Sequence, residues 1–220
     1  GDFMFFFQGL AGFVIFLVVG NIFYYSRMFA GGDAKLMIAL GAILPLSNEF
    51  YTNFKFFIIF LFIFLFVGAI YGVIWSVYLS LKHGKKFKKE FSKLMIPYKS
   101  WTEMIVFIGM MTMILGFFYS ILFFLGLGVI ILPFLYIYAK AVDEACMIKK
   151  IKAKDLLEGD WLYEDVQIGK TLIKTSWNGL SKREISLLKR KKKTVFIRQG
   201  IPFVPVFLIA YVIWIFVWFA

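Results

Sequence analysis

Long runs of apolar residues are the feature that most limits what this chain can fold into. Several runs reach about 20 residues without a charge, which is the length of helix that crosses the roughly 30 Å hydrocarbon layer of a bilayer. The chain has 220 residues, of which 61% are hydrophobic and 17% charged. A single soluble core cannot bury that much apolar surface. Because backbone groups in lipid must be hydrogen-bonded internally, we expect an all-α polytopic membrane protein.

The apolar runs predict about six transmembrane segments. The stretch 104–138 is too long for one span, so we expect a helical hairpin that turns at 125–128, Leu-Gly-Leu-Gly. We expect a transmembrane domain over 1–143 with a basic cytosolic loop at 82–103, a small cytosolic α+β insert over 144–199, and a final transmembrane helix over 200–220. The individual runs are 3–29, 34–45, 54–81, the two halves of 104–138, and 201–220.

The positions of the basic residues predict the orientation. If all six segments cross, the stretches 82–103 and 144–199 lie on the same side as Asp33. That side then carries all but one of the 25 Lys and Arg residues, the exception being Lys55. Loops rich in Lys and Arg stay in the cytoplasm. We therefore expect a multi-pass protein of the cell membrane with Asp33 facing the cytosol.

Basic and sulfur-containing residues also bear on partners and cofactors. The run Lys85–Lys89 mixes lysines with an aromatic residue, as nucleic-acid patches do, but directly after a membrane span it favours contact with anionic lipid headgroups. We expect the bilayer, and no nucleic acid, as its partner. The single His83 and the single Cys146 form no cluster with metal-ligand spacing. We expect no metal and no cofactor.

Turn and capping signals predict local structure within the insert. The stretches 161–166 and 171–174 flank a turn with Gly169, which indicates a β-hairpin. Ser181 and Glu184 match a capping box and predict a short helix that runs to about Lys191. A unit of about 50 residues has little core of its own, so we expect it to lean on the membrane face.

Gly31, Gly32 and Asp33 stand between the first two apolar runs. An ionisable residue near membrane depth is a functional-site hypothesis by default. The two glycines permit backbone angles and close approaches that other residues resist. Asp33 also precedes the predicted helix 34–45, where a carboxylate is favoured by the helix dipole. Position alone leaves two interpretations open, a capping aspartate after a glycine turn and a functional carboxylate.

The stretch Ala30–Pro45 resembles the second active-site motif of the type IV prepilin peptidases and the archaeal preflagellin peptidases. These are membrane aspartyl proteases of the GxGD class, with the pattern Gly-x-Gly-Asp, then one residue and a lysine. Ala30 departs from the first glycine, whereas Gly32, Asp33 and Lys35 stay in register. The stretches 155–165, 179–184 and 200–205 are similar to the cytosolic insert and final helix of the archaeal members.

The resemblance implies an endopeptidase that removes the short basic leader of a pilin-like or archaellin-like precursor at the cytosolic membrane face. Its substrate would be a precursor with a basic leader followed by a hydrophobic helix. Asp33 would be one catalytic carboxylate, supported by Gly31, Gly32 and Lys35. In an aspartyl protease two neighbouring carboxyl groups share one proton and activate a water.

The second carboxylate has two possible sources. The chain begins without an initiator methionine, so we expect helices that carry the other aspartate to precede it in the natural protein, and expect this chain to be inactive alone. The local alternatives are Asp143 and Glu144 at the cytosolic end of the fifth segment. A rival hypothesis for the whole chain is a non-catalytic membrane scaffold or assembly subunit whose basic cytosolic face binds lipid or a partner.

Overall fold

A computed structural model describes residues 2–26, 28–169, 171–191 and 194–219. The described chain is mostly helical, with strands confined to the stretch 148–198. Its helices are α1 (Asp2–Tyr25), α2 (Gly31–Ile43), α3 (Phe50–Lys82), α4 (Gly84–Leu115), α5 (Ser120–Cys146), α6 (Lys182–Lys191) and α7 (Val204–Phe219). Its strands are β1 (Ile148–Lys152), β2 (Trp161–Leu162), β3 (Val166–Ile168), β4 (Thr171–Ile173) and β5 (Thr194–Arg198).

Three of the described helices are long and apolar enough to cross a membrane: α1 from Phe3, α3 and α5. They support the expected class of helical membrane protein. α7 is a shorter apolar helix, and α2 has only 13 residues, about 20 Å of helix at 1.5 Å per residue. α3 has 33 residues, about 50 Å, which exceeds the hydrocarbon thickness.

The chain separates into two compact units, residues 1–74 with 201–220, and residues 75–200. In the first unit α1 and α2 approach closely through glycines. A Cβ added to Gly41 would lie 2.6 Å from the carbonyl oxygen of Gly12, and one added to Gly20 would lie 3.1 Å from the carbonyl oxygen of Ala34. Small residues at such an interface let helix backbones pack tightly where lipid gives no hydrophobic drive for association.

Aromatic side chains fill the core of the first unit. Phe60 and Phe64 of α3 are almost fully buried, as is Trp214 of α7. The indole N–H of Trp214 donates a hydrogen bond to the Phe56 carbonyl over 3.2 Å, so the buried polar end of this side chain is satisfied. α3 and α7 are thereby joined by both packing and a hydrogen bond.

In the second unit α4 and α5 form the expected helical hairpin, but it does not turn at 125–128. The reversal lies at 116–119, and 125–128 is inside α5. Gly126 faces Gly109 of α4, and a Cβ on Gly109 would lie 3.0 Å from the Gly126 carbonyl oxygen. The predicted turn was wrong because this glycine permits a close helix contact rather than a chain reversal.

The basic stretch 82–103, expected as a connecting loop, is largely the first half of α4. Lysine and glutamate are good helix formers, and the pairs Glu90–Lys93 and Lys99–Glu103 lie at 3.3 and 3.9 Å on the same helix. Pro97 interrupts the hydrogen-bond ladder without ending the helix.

The insert carries a three-stranded antiparallel sheet in the order β1-β5-β2 and a separate hairpin of β3 and β4. The hairpin turns at Gly169, whose φ is +59°, as predicted. β2 differs from the prediction, because it pairs with β5 rather than with the 171–174 stretch. The predicted capping box is present, with the Glu184 carboxylate 2.8 Å from the Ser181 backbone nitrogen.

The insert also has a hydrophobic core of its own, which was not expected for so short a stretch. Leu188 of α6 is fully buried, and it belongs to one cluster with residues from the sheet and the hairpin. Helix and strands therefore bury apolar surface against each other. Besides Leu188, the buried members are Ala153, Leu156, Leu162, Ile168, Ile173, Leu180, Ile185, Val195 and Ile197.

Candidate functional site

Asp33 lies in the first turn of α2. Ala30 is the residue before the helix and has an extended backbone, with φ −71° and ψ 160°. Asp33 is half-buried, and Lys35 is exposed two residues further on. A carboxylate in the first turn is favoured by the free backbone N–H groups and the dipole of the helix. Gly31, Gly32, Asp33 and Lys35 are thus brought together at one helix end.

The turn that leads into α2 is held by Phe29. This side chain is 4% exposed, and its ring centroid lies 4.8 Å from that of Phe23 on α1 and 5.8 Å from that of Phe64 on α3. Its backbone N–H donates to the Phe23 carbonyl over 3.1 Å. Its ring also lies 5.9 Å from that of Phe207 on α7, so Phe29 fixes where Asp33 emerges from the helical core through contacts to three helices.

The two glycines before Asp33 are helical and exposed. Neither has a positive φ, unlike Gly169. A Cβ built on Gly32 would meet no atom within 4 Å, and one on Gly31 would meet only the Tyr24 ring, at 3.8 Å. The expected reasons for glycine here, unusual backbone angles and close packing within the chain, therefore do not apply. The backbone beside Asp33 remains open to solvent and to other molecules.

Asp33 lies outside the three helices that are long enough to span a membrane. Its side chain is half-buried at the start of α2. Among the residues that the structure describes, Asp33 forms no ion pair. Its ionised form is therefore less well compensated than that of a surface carboxylate.

Asp143 and Glu144, the local alternatives for a second carboxylate, are held in a separate cluster of the second unit. Both are half-buried at the end of α5, and the Arg198 guanidinium binds both, at 3.3 Å from Asp143 and 3.2 Å from Glu144. The Tyr163 hydroxyl donates to the other oxygen of Glu144 over 2.9 Å. This hydrogen bond raises the pKa of Tyr163. The Arg198 guanidinium therefore bridges the two carboxylates in one ion cluster.

Two residues that build these clusters were missed by sequence reasoning. Arg198 is the last residue of β5. This strand was not predicted, because the basic run before it drew attention away from its apolar residues. The alternation of Val195 and Ile197 with outward-facing residues was a usable signal for that strand. Phe29 was treated as the end of an apolar run, and nothing local distinguishes it from the other 28 phenylalanines.

The chain matches no family model, no curated protein and no solved structure. The resemblance to GxGD-class peptidases therefore depends on the motif residues themselves and on the geometry around Asp33.

Proposed function

We propose that this chain belongs to a membrane aspartyl endopeptidase that resembles the prepilin and preflagellin peptidases, and that Asp33 is one of its two catalytic carboxylates. The observation that carries this proposal is the open backbone at Gly32 beside a half-buried carboxyl group. An extended peptide needs free space to reach a carboxyl group, and glycine provides it without a side chain. Helix capping alone requires neither glycine.

The reaction would be peptide hydrolysis by a pair of carboxyl groups, one protonated and one ionised. The ionised member removes a proton from a water molecule, which attacks the peptide carbonyl carbon. The protonated member donates a hydrogen bond to the carbonyl oxygen as negative charge develops there. The half-burial of Asp33 without an ion pair among the described residues supports a role in such a pair, since no cation of the described chain holds it in its ionised form.

The second carboxylate of this proposal is not taken from the insert cluster. The Arg198 guanidinium already binds both Asp143 and Glu144, and Glu144 also accepts a hydrogen bond from Tyr163, so the contacts of these carboxylates are to the insert. We propose instead that an aspartate at the cytosolic end of another helix, as the resemblance implies, completes the pair.

We also propose the six-segment topology, with α2 and the apolar half of α4 as short segments and the insert in the cytosol. The distribution of Lys and Arg supports it, because Lys55 alone would face outward. The substrate would present its leader at the cytosolic face, as the resemblance implies, and its hydrophobic helix would lie in the bilayer.

Cleavage of a candidate precursor by the protein encoded in the full reading frame, in native membranes, tests this proposal. Asp33→Asn should lower cleavage by about 100-fold or more, because an amide cannot act as acid or base. Glu103→Gln is a matched control, since Glu103 is an exposed carboxylate whose only described ion pair is the weak one to Lys99. It should retain full activity.

A non-catalytic scaffold or assembly subunit is the alternative. The insert has a hydrophobic core of its own, and this favours the scaffold alternative, because a folded basic appendage can bind a partner without catalysing a reaction. Full cleavage by Asp33→Asn would exclude Asp33 from catalysis. If the wild-type full-length protein cleaves no precursor, the scaffold becomes the better account.

A further inference from the structure

A groove of about 640 Å³ lies on the α4–α5 hairpin. Its long walls are apolar and come from Trp101 and Ile105 of α4 and Leu132 of α5, with Pro97 and Pro133 beside them. This volume is within the range of small-molecule sites. Because α5 is one of the three helices apolar enough to span a membrane, the molecules nearest to such a groove are lipids.

A lysine that does not itself line the groove is held beside it by two tyrosines that do. The Lys140 ammonium donates a hydrogen bond to the Tyr98 hydroxyl over 2.7 Å, and it lies 5.0 Å from the Tyr98 ring centroid and 6.0 Å from that of Tyr136. Both tyrosines line the groove. In the part of the chain that the structure describes, no carboxylate lies within 4.0 Å of Lys140. The ammonium is therefore held in place without a paired counter-ion.

The polar and apolar parts follow one another along α5. Leu132, Tyr136 and Lys140 are spaced four residues apart on one helix face. The change from an apolar to a charged side chain therefore extends over about 12 Å of the helix. Lys140 is the member nearest to the polar insert, and Leu132 is deeper in the apolar part of the helix. This order, from cation through amphipathic rings to hydrocarbon, matches that of a phospholipid from phosphate through glycerol to acyl chain.

We propose that the groove binds one anionic phospholipid, with its phosphate against Lys140 and the tyrosine hydroxyls and an acyl chain along Trp101, Ile105 and Leu132. The argument for this occupant is charge complementarity in a membrane-facing groove. The proposed site does not depend on the proposed peptidase activity.

Native mass spectrometry of the full chain in a neutral detergent tests the site. The protein would be titrated with phosphatidylglycerol and, separately, with phosphatidylcholine of the same acyl chains. A one-to-one phosphatidylglycerol adduct is expected at lower lipid concentration than the phosphatidylcholine adduct. Lys140→Gln should weaken phosphatidylglycerol binding about fivefold, since one lysine near a headgroup contributes about that factor, and Lys140→Arg should restore it.

Lys82→Gln is the matched control. Lys82 also lies over a tyrosine ring, that of Tyr78 at 5.5 Å, and contacts its hydroxyl at 3.4 Å, but Tyr78, unlike Tyr98 and Tyr136, does not line this groove. Its replacement should change phosphatidylglycerol binding less than twofold. Equal losses for Lys82→Gln and Lys140→Gln would mean diffuse charge attraction and would overturn the proposal.

A second variant tests the apolar wall. Leu132→Trp adds bulk where the acyl chain is proposed to lie, and Leu132 is 59% exposed, so the fold has room for the larger side chain. It should weaken binding of both phospholipids while the circular dichroism spectrum stays unchanged. If the lipid adducts are unchanged, the groove does not bind the lipid and the proposal is wrong. If the variant instead turns a dimer into a monomer, a second copy of the chain is the occupant and the lipid proposal is wrong.

Discussion

The carboxyl groups singled out from the sequence differ in how their charge is stabilised. Asp143 and Glu144 share the Arg198 guanidinium, whereas Asp33 forms no ion pair among the described residues. Asp33 is half-buried at the start of α2. A half-buried carboxylate without an ion pair near membrane depth is a functional-site candidate.

Gly32 and Gly41 of the same helix should respond oppositely to alanine. Gly32→Ala adds a Cβ that meets no atom within 4 Å and should leave stability unchanged or raise it by about 0.5 kcal/mol. Gly41→Ala places a Cβ against the α1 backbone and should cost about 1–3 kcal/mol. Thermal melts in detergent compare the two. If Gly32→Ala abolishes cleavage while keeping full stability, Gly32 serves the substrate; if cleavage is unaffected, the open backbone loses its proposed role.

At the scale of elements, Arg198 connects the end of β5 to the end of α5. The two carboxylates that it pairs with are more than 50 residues away in the sequence. Its Nε atom is buried without a described partner. The aromatic ring of Tyr163, 5.5 Å from the guanidinium carbon, covers one side of it. The connection ties the insert sheet to the helix from which the insert emerges.

Removing this guanidinium should loosen the sheet. Arg198→Gln leaves Asp143 and Glu144 without a cation, and because the cluster is about one-third exposed, we expect a loss of about 1 kcal/mol. Hydrogen exchange at the backbone amides of β5 should become faster. Lys182→Gln, which removes a pair with Glu158 that is mostly exposed, is the control and should leave exchange unchanged. Equal protection in both variants would show that the sheet is held by its hydrophobic core alone.

At the scale of the whole molecule, the number of crossings decides which residues share a side with Asp33. The three long apolar helices do not settle this number, because α2, α7 and the apolar part of α4 are short. A tilted or shallow α2 would place the loop after it on the same side as Asp33. The positive-inside rule favours a full crossing.

Cysteine labelling tests the crossings. Cys146 is buried and can be replaced by serine to give a background without thiols. Asn48→Cys lies in the exposed loop after α2, and Glu164→Cys lies in the insert. A membrane-impermeant maleimide should label position 48 on intact cells, and position 164 only after permeabilisation. Labelling of both positions from one side would mean that α2 or one of the later segments does not cross.

The sequence by itself determined the features that depend on neighbouring residues. Apolar length indicated the helical membrane class, Gly169 the hairpin turn, and the Ser181–Glu184 spacing the start of α6. It also placed Asp33 at the start of a short helix. Turn geometry, capping and hydrophobic length are local properties, so a single sequence contains them.

Only the tertiary structure decided what the other glycines and charges do. Gly126 looked like a turn residue but allows α4 and α5 to touch, and Gly32 looked like a packing residue but faces open space. β2 pairs with β5 rather than with its neighbour in sequence, and Arg198 takes both carboxylates at the end of α5. These outcomes depend on which distant backbone comes within a few ångströms, and that distance is a property of the packed fold.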